Sequence, residues 1–197
     1  MLNVTAAAPR FGCKAVLNGD IIDLSWYDLH ESKWLVLFFY PLDFTFVCPT
    51  EIVAFSDARD RFAALDAKVA AVSVDSAYAH LAWSRTPREK GGIGGIEIPL
   101  IADLSKAVAK EYEVLLDSGV ASRALFIIDP KGIIRHATIN DMGVGRNVDE
   151  TLRVLEALQY VDQYGEVCPA NWQPRDMTIV PDPENAQAYF ASQLTTA

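Results

Sequence analysis

The side chains best suited to covalent chemistry in this 197-residue chain are three cysteines, at positions 13, 48 and 168. Cys48 has the most suggestive surroundings. Leu35 to Tyr40 is an unbroken apolar run, fit for a strand buried on both faces, and Pro41 ends it. Ile52, Phe55 and Phe62 then recur at helical spacing, which predicts a helix starting between Thr45 and Pro49, with Pro49 suited to its first turn. Cys48 therefore falls at the amino end of a helix, just past a buried strand. Orphan N–H groups and the positive end of the helix dipole favour a thiolate at such a place. Thr45, three residues earlier, can set its hydroxyl on the same face as the sulfur. Position alone leaves a second reading open, in which Cys48 is a small buried hydrophobe.

Composition narrows the chemistry. An odd, sparse cysteine count argues against a disulfide-stapled secreted fold. No CxxC occurs, since Thr45 and Glu51 stand three residues either side of Cys48, and with three histidines no zinc-site spacing arises. Seventeen basic against 26 acidic residues give a net charge of −9. No basic run exceeds a pair, so nucleic acid and anionic membranes are poor partners. The apolar runs fall short of a membrane span. The opening residues carry neither a charged n-region nor an apolar h-region, so a cytoplasmic protein is expected.

The elements that must position Cys48 follow from patterning. Ala15–Leu17 and Asp20–Leu24 flank Asn18-Gly19, the signature of a type I′ hairpin. Lys68–Val74 is a second β-branched run, giving a βαβ unit with the strand and helix around Cys48. Ser76 can cap a helix through His80 and Trp83, Gly91 to Gly95 form a loop, Ile98–Ala102 a strand, and Ser105–Tyr112 a modest helix. Ala124–Ile128, Asp129-Pro130-Lys131-Gly132 and Ile133–Ala137 read as an antiparallel hairpin. Asn147 and Glu150 resemble a capping box opening a helix with Val148, Leu152, Leu155 and Leu158 on its apolar face. Beyond Gly165, prolines at 169, 174, 181 and 183 break the pattern, leaving a short helix over 184–190. The expected architecture is α/β, a central mixed sheet flanked by helices over residues 1–164, with an extended carboxyl-terminal arm over 165–197.

Cys168 lies in that arm within Val-Cys-Pro, the triplet that also surrounds Cys48. With Pro41, Thr45 and Cys48 in PLDFTFVCP, VSVDS at 72–76, HLAW at 80–83, TPR at 86–88, RALFIIDPKG at 123–132, GRNVDETLR at 145–153 and GEVCPANWQP at 165–174, the chain closely resembles the typical 2-Cys peroxiredoxins. That resemblance implies a thioredoxin-like fold and the reduction of hydrogen peroxide and organic hydroperoxides, with no bound cofactor. It casts Cys48 as the peroxidatic cysteine, oxidised to a sulfenic acid, and Cys168 as the resolving cysteine. The two would close an intermolecular disulfide across a homodimer joined through the arm. Thr45 and Arg123 would serve the peroxide, Pro41 would shield the sulfenic acid, and Glu51 and Arg146 would orient Arg123. A disulfide needs Cα atoms within about 4.4–6.8 Å, so the first turn around Cys48 and the arm around Cys168 are both expected to unfold locally.

The same resemblance implies recycling by thioredoxin or a flavoprotein disulfide reductase, and a ring of dimers. Gly91-Gly92-Ile93-Gly94 and Tyr189-Phe190 are similar to family motifs that mark sensitivity to sulfinic-acid formation. Cys13 matches no family role. An alternative reading is a peroxide-sensing relay or ring-forming holdase, and a general disulfide oxidoreductase is disfavoured by the missing CxxC.

Overall fold

The computed structural model describes residues 2–194 and divides into two compact units, Met1–Val148 and Asp149–Ala197. The first unit is built on a seven-stranded mixed sheet. In chain order it runs β1 (Gly12–Leu17), β2 (Asp20–Ser25), α1 (Trp26–His30), β3 (Trp34–Phe39), α2 (Cys48–Asp57), α3 (Arg59–Ala64), β4 (Ala67–Ser73), α4 (Ala77–Ser84), β5 (Leu100–Ala102), α5 (Ala107–Glu111), β6 (Arg123–Ile128) and β7 (Ile134–Asn140). The strand order is β2-β1-β5-β4-β3-β6-β7. β3 pairs parallel with β4 and β4 with β5, while β6 runs antiparallel to both β3 and β7. This is the mixed, helix-flanked sheet that the resemblance in sequence leads one to expect.

All six residues of β3 are buried, as the unbroken apolar run requires of a strand covered on both faces. Phe38 stacks on Phe55 with centroids 4.6 Å apart, and Phe55 stacks on Phe62 at 6.0 Å. Each such pair contributes about 0.5–1.5 kcal/mol beyond burial, and together they press α2 and α3 onto the central strand. The hairpin at Asn18-Gly19 has φ of 52° and 83°, the two positive values a type I′ turn needs.

Three local features depart from the patterning. The helix expected through Phe62 is two helices, because Ala58 leaves helical geometry at φ −87°, ψ 1°. Phe62 still reaches the core, so its periodicity hid the break. A short α1 precedes β3, set by a capping box between Ser25 and Asp28. The sequence boundary at 164/165 also differs from the division at 148/149. Helix α6 (Val148–Tyr164) groups with the arm, not with the sheet.

Within the second unit the arm is more ordered than its prolines suggest. Val167 and Ile179 pair as an isolated antiparallel bridge. Trp172, only 3% exposed, sits 5.6 Å from the Tyr160 ring of α6 and donates its indole N–H to the Asp176 carbonyl at 3.2 Å. The arm ends in α7 (Ala186–Leu194), where Tyr189 and Phe190 meet edge to face at 5.8 Å.

Candidate active site

Cys48 is the first residue of α2 and 1% exposed. Pro49 occupies the first turn, where its missing N–H leaves nothing unpaired. Among the described residues no side chain caps this helix, whose N-cap is Val47. The N–H groups of Thr50 and Glu51 turn to the Val47 carbonyl at 3.1 and 3.3 Å and Pro49 has none, which leaves the Cys48 N–H beside the sulfur.

Glu51 organises the charges, one turn further on and 3% exposed. Its carboxylate is gripped from two sides. Arg123, the first residue of β6, pairs with Oε2 through Nη1. Arg146 donates Nε to Oε1 at 2.7 Å, Nη2 to Oε2 at 3.0 Å, and its own backbone N–H to Oε1 at 2.8 Å. Arg146 Nη1 also bonds the carbonyls of Phe39 at 2.8 Å and Ala124 at 2.6 Å, and its guanidinium lies 4.8 Å over the Phe38 ring. Burial pulls this guanidinium below its ordinary range, while the Glu51 carboxylate pushes it back up. A planar fork of donors is what lets one arginine tie together two strands, a helix and a loop.

So held, Arg123 places Nη1 3.7 Å from Cys48 Sγ and gives Nη2 to the Met142 carbonyl at 2.8 Å. Its Nε is buried without a protein partner. Cys48, Glu51, Arg123 and Arg146 thus converge, although Arg123 and Arg146 lie 72 and 95 residues from Glu51.

Thr45 and Pro41 occupy the turn between β3 and α2. Pro41 is buried. The Thr45 hydroxyl donates to the Leu42 carbonyl at 2.9 Å, and its lone pairs remain able to accept a proton. Sequence reasoning did not anticipate what holds this turn. Tyr40 donates to Asp43 Oδ1 at 2.7 Å, His80 Nδ1 meets Asp43 Oδ2 at 2.8 Å, and the Asp43 N–H bonds Asp75 at 2.9 Å. Tyr40 is pushed well above the ordinary tyrosine range, first by burial and then by the Asp43 charge. The signal in the sequence is HLAW, whose histidine is His80. A further strut joins the glycine loop to the far end of α2: Arg88 holds Asp57 bidentately at 3.0 Å and the Gly94 carbonyl at 2.9 Å. Within that loop Gly92 is obligatory, since a Cβ there would lie 2.0 Å from the Thr86 carbonyl oxygen.

Cys168 lies in the second unit, its Sγ 3.8 Å from the Ala157 carbonyl of α6. Burial raises its thiol above the ordinary value, and the Arg153 charge works in the opposite direction. Cys13 is on β1, half-buried, and raised by burial and by Asp103.

A cysteine at a helix start, in contact with a clamped guanidinium and beside a threonine turn, can be compared with known proteins. The sequence model of the AhpC/TSA family matches residues 4–137, and that of the C-terminal domain of 1-Cys peroxiredoxin matches residues 157–192, a segment that here contains Cys168. The chain belongs to the AhpC/TSA family, as a 2-Cys peroxiredoxin. This peroxiredoxin is 56% identical over 188 residues to the mitochondrial thioredoxin-dependent peroxide reductase of Homo sapiens, covering 95% of this chain and 73% of that one. It is 50% identical to a chloroplastic 2-Cys peroxiredoxin of Hordeum vulgare, covering 94% and 89%. The reduced 2-Cys peroxiredoxin of Plasmodium vivax superposes with a TM-score of 0.91 at 43% identity, covering 95% and 98%. Like its relatives, this peroxiredoxin is a thiol peroxidase.

Proposed function

We propose that Cys48 is the sulfur that meets the peroxide, and that Thr45, Arg123, Glu51 and Arg146 form the machinery around it. The observation that carries this reading is the 3.7 Å contact between Arg123 Nη1 and Cys48 Sγ at the uncapped start of α2. The thiolate attacks one peroxide oxygen, the S–O bond forms as the O–O bond breaks, and the departing oxygen leaves as water or an alcohol after taking up a proton. Thr45, its own proton committed to Leu42, accepts the hydroperoxide O–H and so aligns it. The guanidinium of Arg123, with Nε uncommitted, stabilises charge developing on the peroxide oxygens. Glu51 and Arg146 hold that guanidinium in place, and Pro41 screens the sulfenic acid from water.

Cys168 of a second copy then displaces the sulfenic oxygen, giving an intermolecular disulfide. A sulfur only 1% exposed has to emerge first, so the first turn of α2 opens before the disulfide closes. Relatives named thioredoxin-dependent peroxide reductases favour thioredoxin over a flavoprotein as the donor that reduces it. A dimer through the arm, assembled further into a ring, is the oligomer this reading implies. The names of the relatives place those proteins in mitochondria and chloroplasts, and lend no support to the cytoplasmic expectation. The test is peroxide consumption by Cys48→Ser and Cys168→Ser proteins, with non-reducing gels after one equivalent of peroxide. Cys48→Ser should be inactive, and Cys168→Ser should turn over once without a dimeric band. Parental turnover by Cys48→Ser would overturn the assignment.

A further inference from the structure

The second unit contains a charged group that the reaction above does not use. Arg153, on α6, spends Nε and Nη2 on the two carboxylate oxygens of Glu150 at 2.6 and 2.7 Å. This bidentate pair fixes the plane of the guanidinium. Its remaining nitrogen, Nη1, donates to the Trp172 carbonyl at 2.9 Å. Trp172 follows Cys168 by four residues and is the buried anchor of the arm against Tyr160. One turn along α6 from Arg153, the Ala157 carbonyl faces Cys168 Sγ at 3.8 Å. Arg153, Ala157 and Cys168 line one groove of about 370 Å³, and Arg153 is the charged residue among its described lining. Glu166, the nearest acid along the chain, is engaged by the hydroxyls of Thr178 and Tyr160.

We propose that Arg153 is a positioning residue for the resolving step: it holds the Cys168 turn in the folded arm and supplies the positive charge beside the thiol that attacks once the arm opens. The inference rests on the reading of Cys168 given above. In that step Cys168 gives up its proton and its sulfur attacks the Cys48 sulfenic sulfur. An S–S bond forms, the S–O bond breaks, and the hydroxide released takes a proton to become water. No outside oxidant is needed, because the sulfenic acid already carries the two oxidising equivalents. The Ala157 carbonyl favours the protonated thiol by accepting its S–H, and burial acts in the same direction. Arg153 is the counterweight, and Glu150 tempers it.

The experiment is the rate of disulfide closure in the full-length protein, followed by stopped-flow fluorescence after a peroxide pulse, across pH 6 to 10. Arg153→Met should slow closure at neutral pH by about threefold to tenfold, with the loss shrinking at high pH, where the thiol is ionised with or without the cation. Arg153→Lys, which keeps the charge, should recover much of the rate. Glu150→Gln, which leaves the cation untempered, should move the profile toward acid, and keeps the question open to refutation if Arg153→Met does not fold. A superimposable profile, or one scaled by the same factor at every pH, would refute the proposal by reducing Arg153 to a structural strut. If Cys168→Ser still formed the intermolecular disulfide, the failure would lie with the assignment of Cys168 instead.

Discussion

Arg146 Nε and Glu51 Oε1 meet at 2.7 Å with both side chains 2% exposed, and the same carboxylate also grips Arg123. One buried anion thus restrains two buried cations, and one of those cations touches the reactive sulfur. Removing a single partner from such a cluster leaves charge uncompensated in a low-dielectric site, at a cost of about 3–5 kcal/mol.

Glu51→Gln should therefore lower both stability and rate. The expected outcomes are a fall in melting temperature of several degrees and a drop of about 10²-fold in the rate of sulfenic-acid formation. Thermal denaturation and single-turnover kinetics on the same samples check it. Unchanged values for both would mean that the carboxylate does not organise the site.

Arg123→Lys keeps the charge but not the fork that reaches Cys48, Glu51 and the Met142 carbonyl together. The rate of Cys48 oxidation should fall by about 10²–10³-fold, close to the loss in Arg123→Met. Lysine retaining most of the rate would show that charge alone suffices.

Thr45→Ser keeps the hydroxyl bonded to Leu42, whereas Thr45→Val removes the acceptor. Serine should retain most of the activity, and valine should lose about 10–100-fold in kcat/KM with peroxide. Near-parental activity of the valine variant would exclude Thr45 from peroxide alignment.

Tyr40→Phe tests the support beneath the turn. It leaves Asp43 Oδ1 without its donor inside a buried network, and should cost about 1–3 kcal/mol. Its sign with pH is defined. Native Tyr40 holds its proton more tightly than the unfolded chain, so its contribution is full below the ordinary value of 10.0 and is lost as pH rises toward the higher folded value. Denaturant titrations at pH 8 and above 10 should show a shallower alkaline decline in Tyr40→Phe, and a parallel decline would count against the account.

Much of the architecture was legible in local patterning. The run Leu35–Tyr40 announced a strand covered on both faces, and the spacing of Ile52 and Phe55 placed Cys48 at a helix start. The convergence of Glu51 with Arg123 and Arg146 was not legible that way, because no periodicity links residues 72 and 95 positions apart. There the family motifs carried the inference. Tertiary bonds also decided what no local rule could. The Thr45 hydroxyl turns to Leu42, His80 props Asp43, and the prolines of the arm conceal a turn anchored by Trp172. The break at Ala58 leaves no mark on the periodicity, because both flanking helices still send a phenylalanine to the same core.

Val47 stands just ahead of α2, and among the described residues no side chain caps that helix. Serine, aspartate or asparagine at such a position would ordinarily add about 1 kcal/mol to a helix. Here the N–H groups of Thr50 and Glu51 already turn to the Val47 carbonyl, and an oxygen added to the side chain would sit against the helix end that the sulfur and the reactant share. The bare helix end is therefore a compromise in which robustness is surrendered for reactivity, and thermostabilising redesign that corrects it should yield a sturdier, duller enzyme.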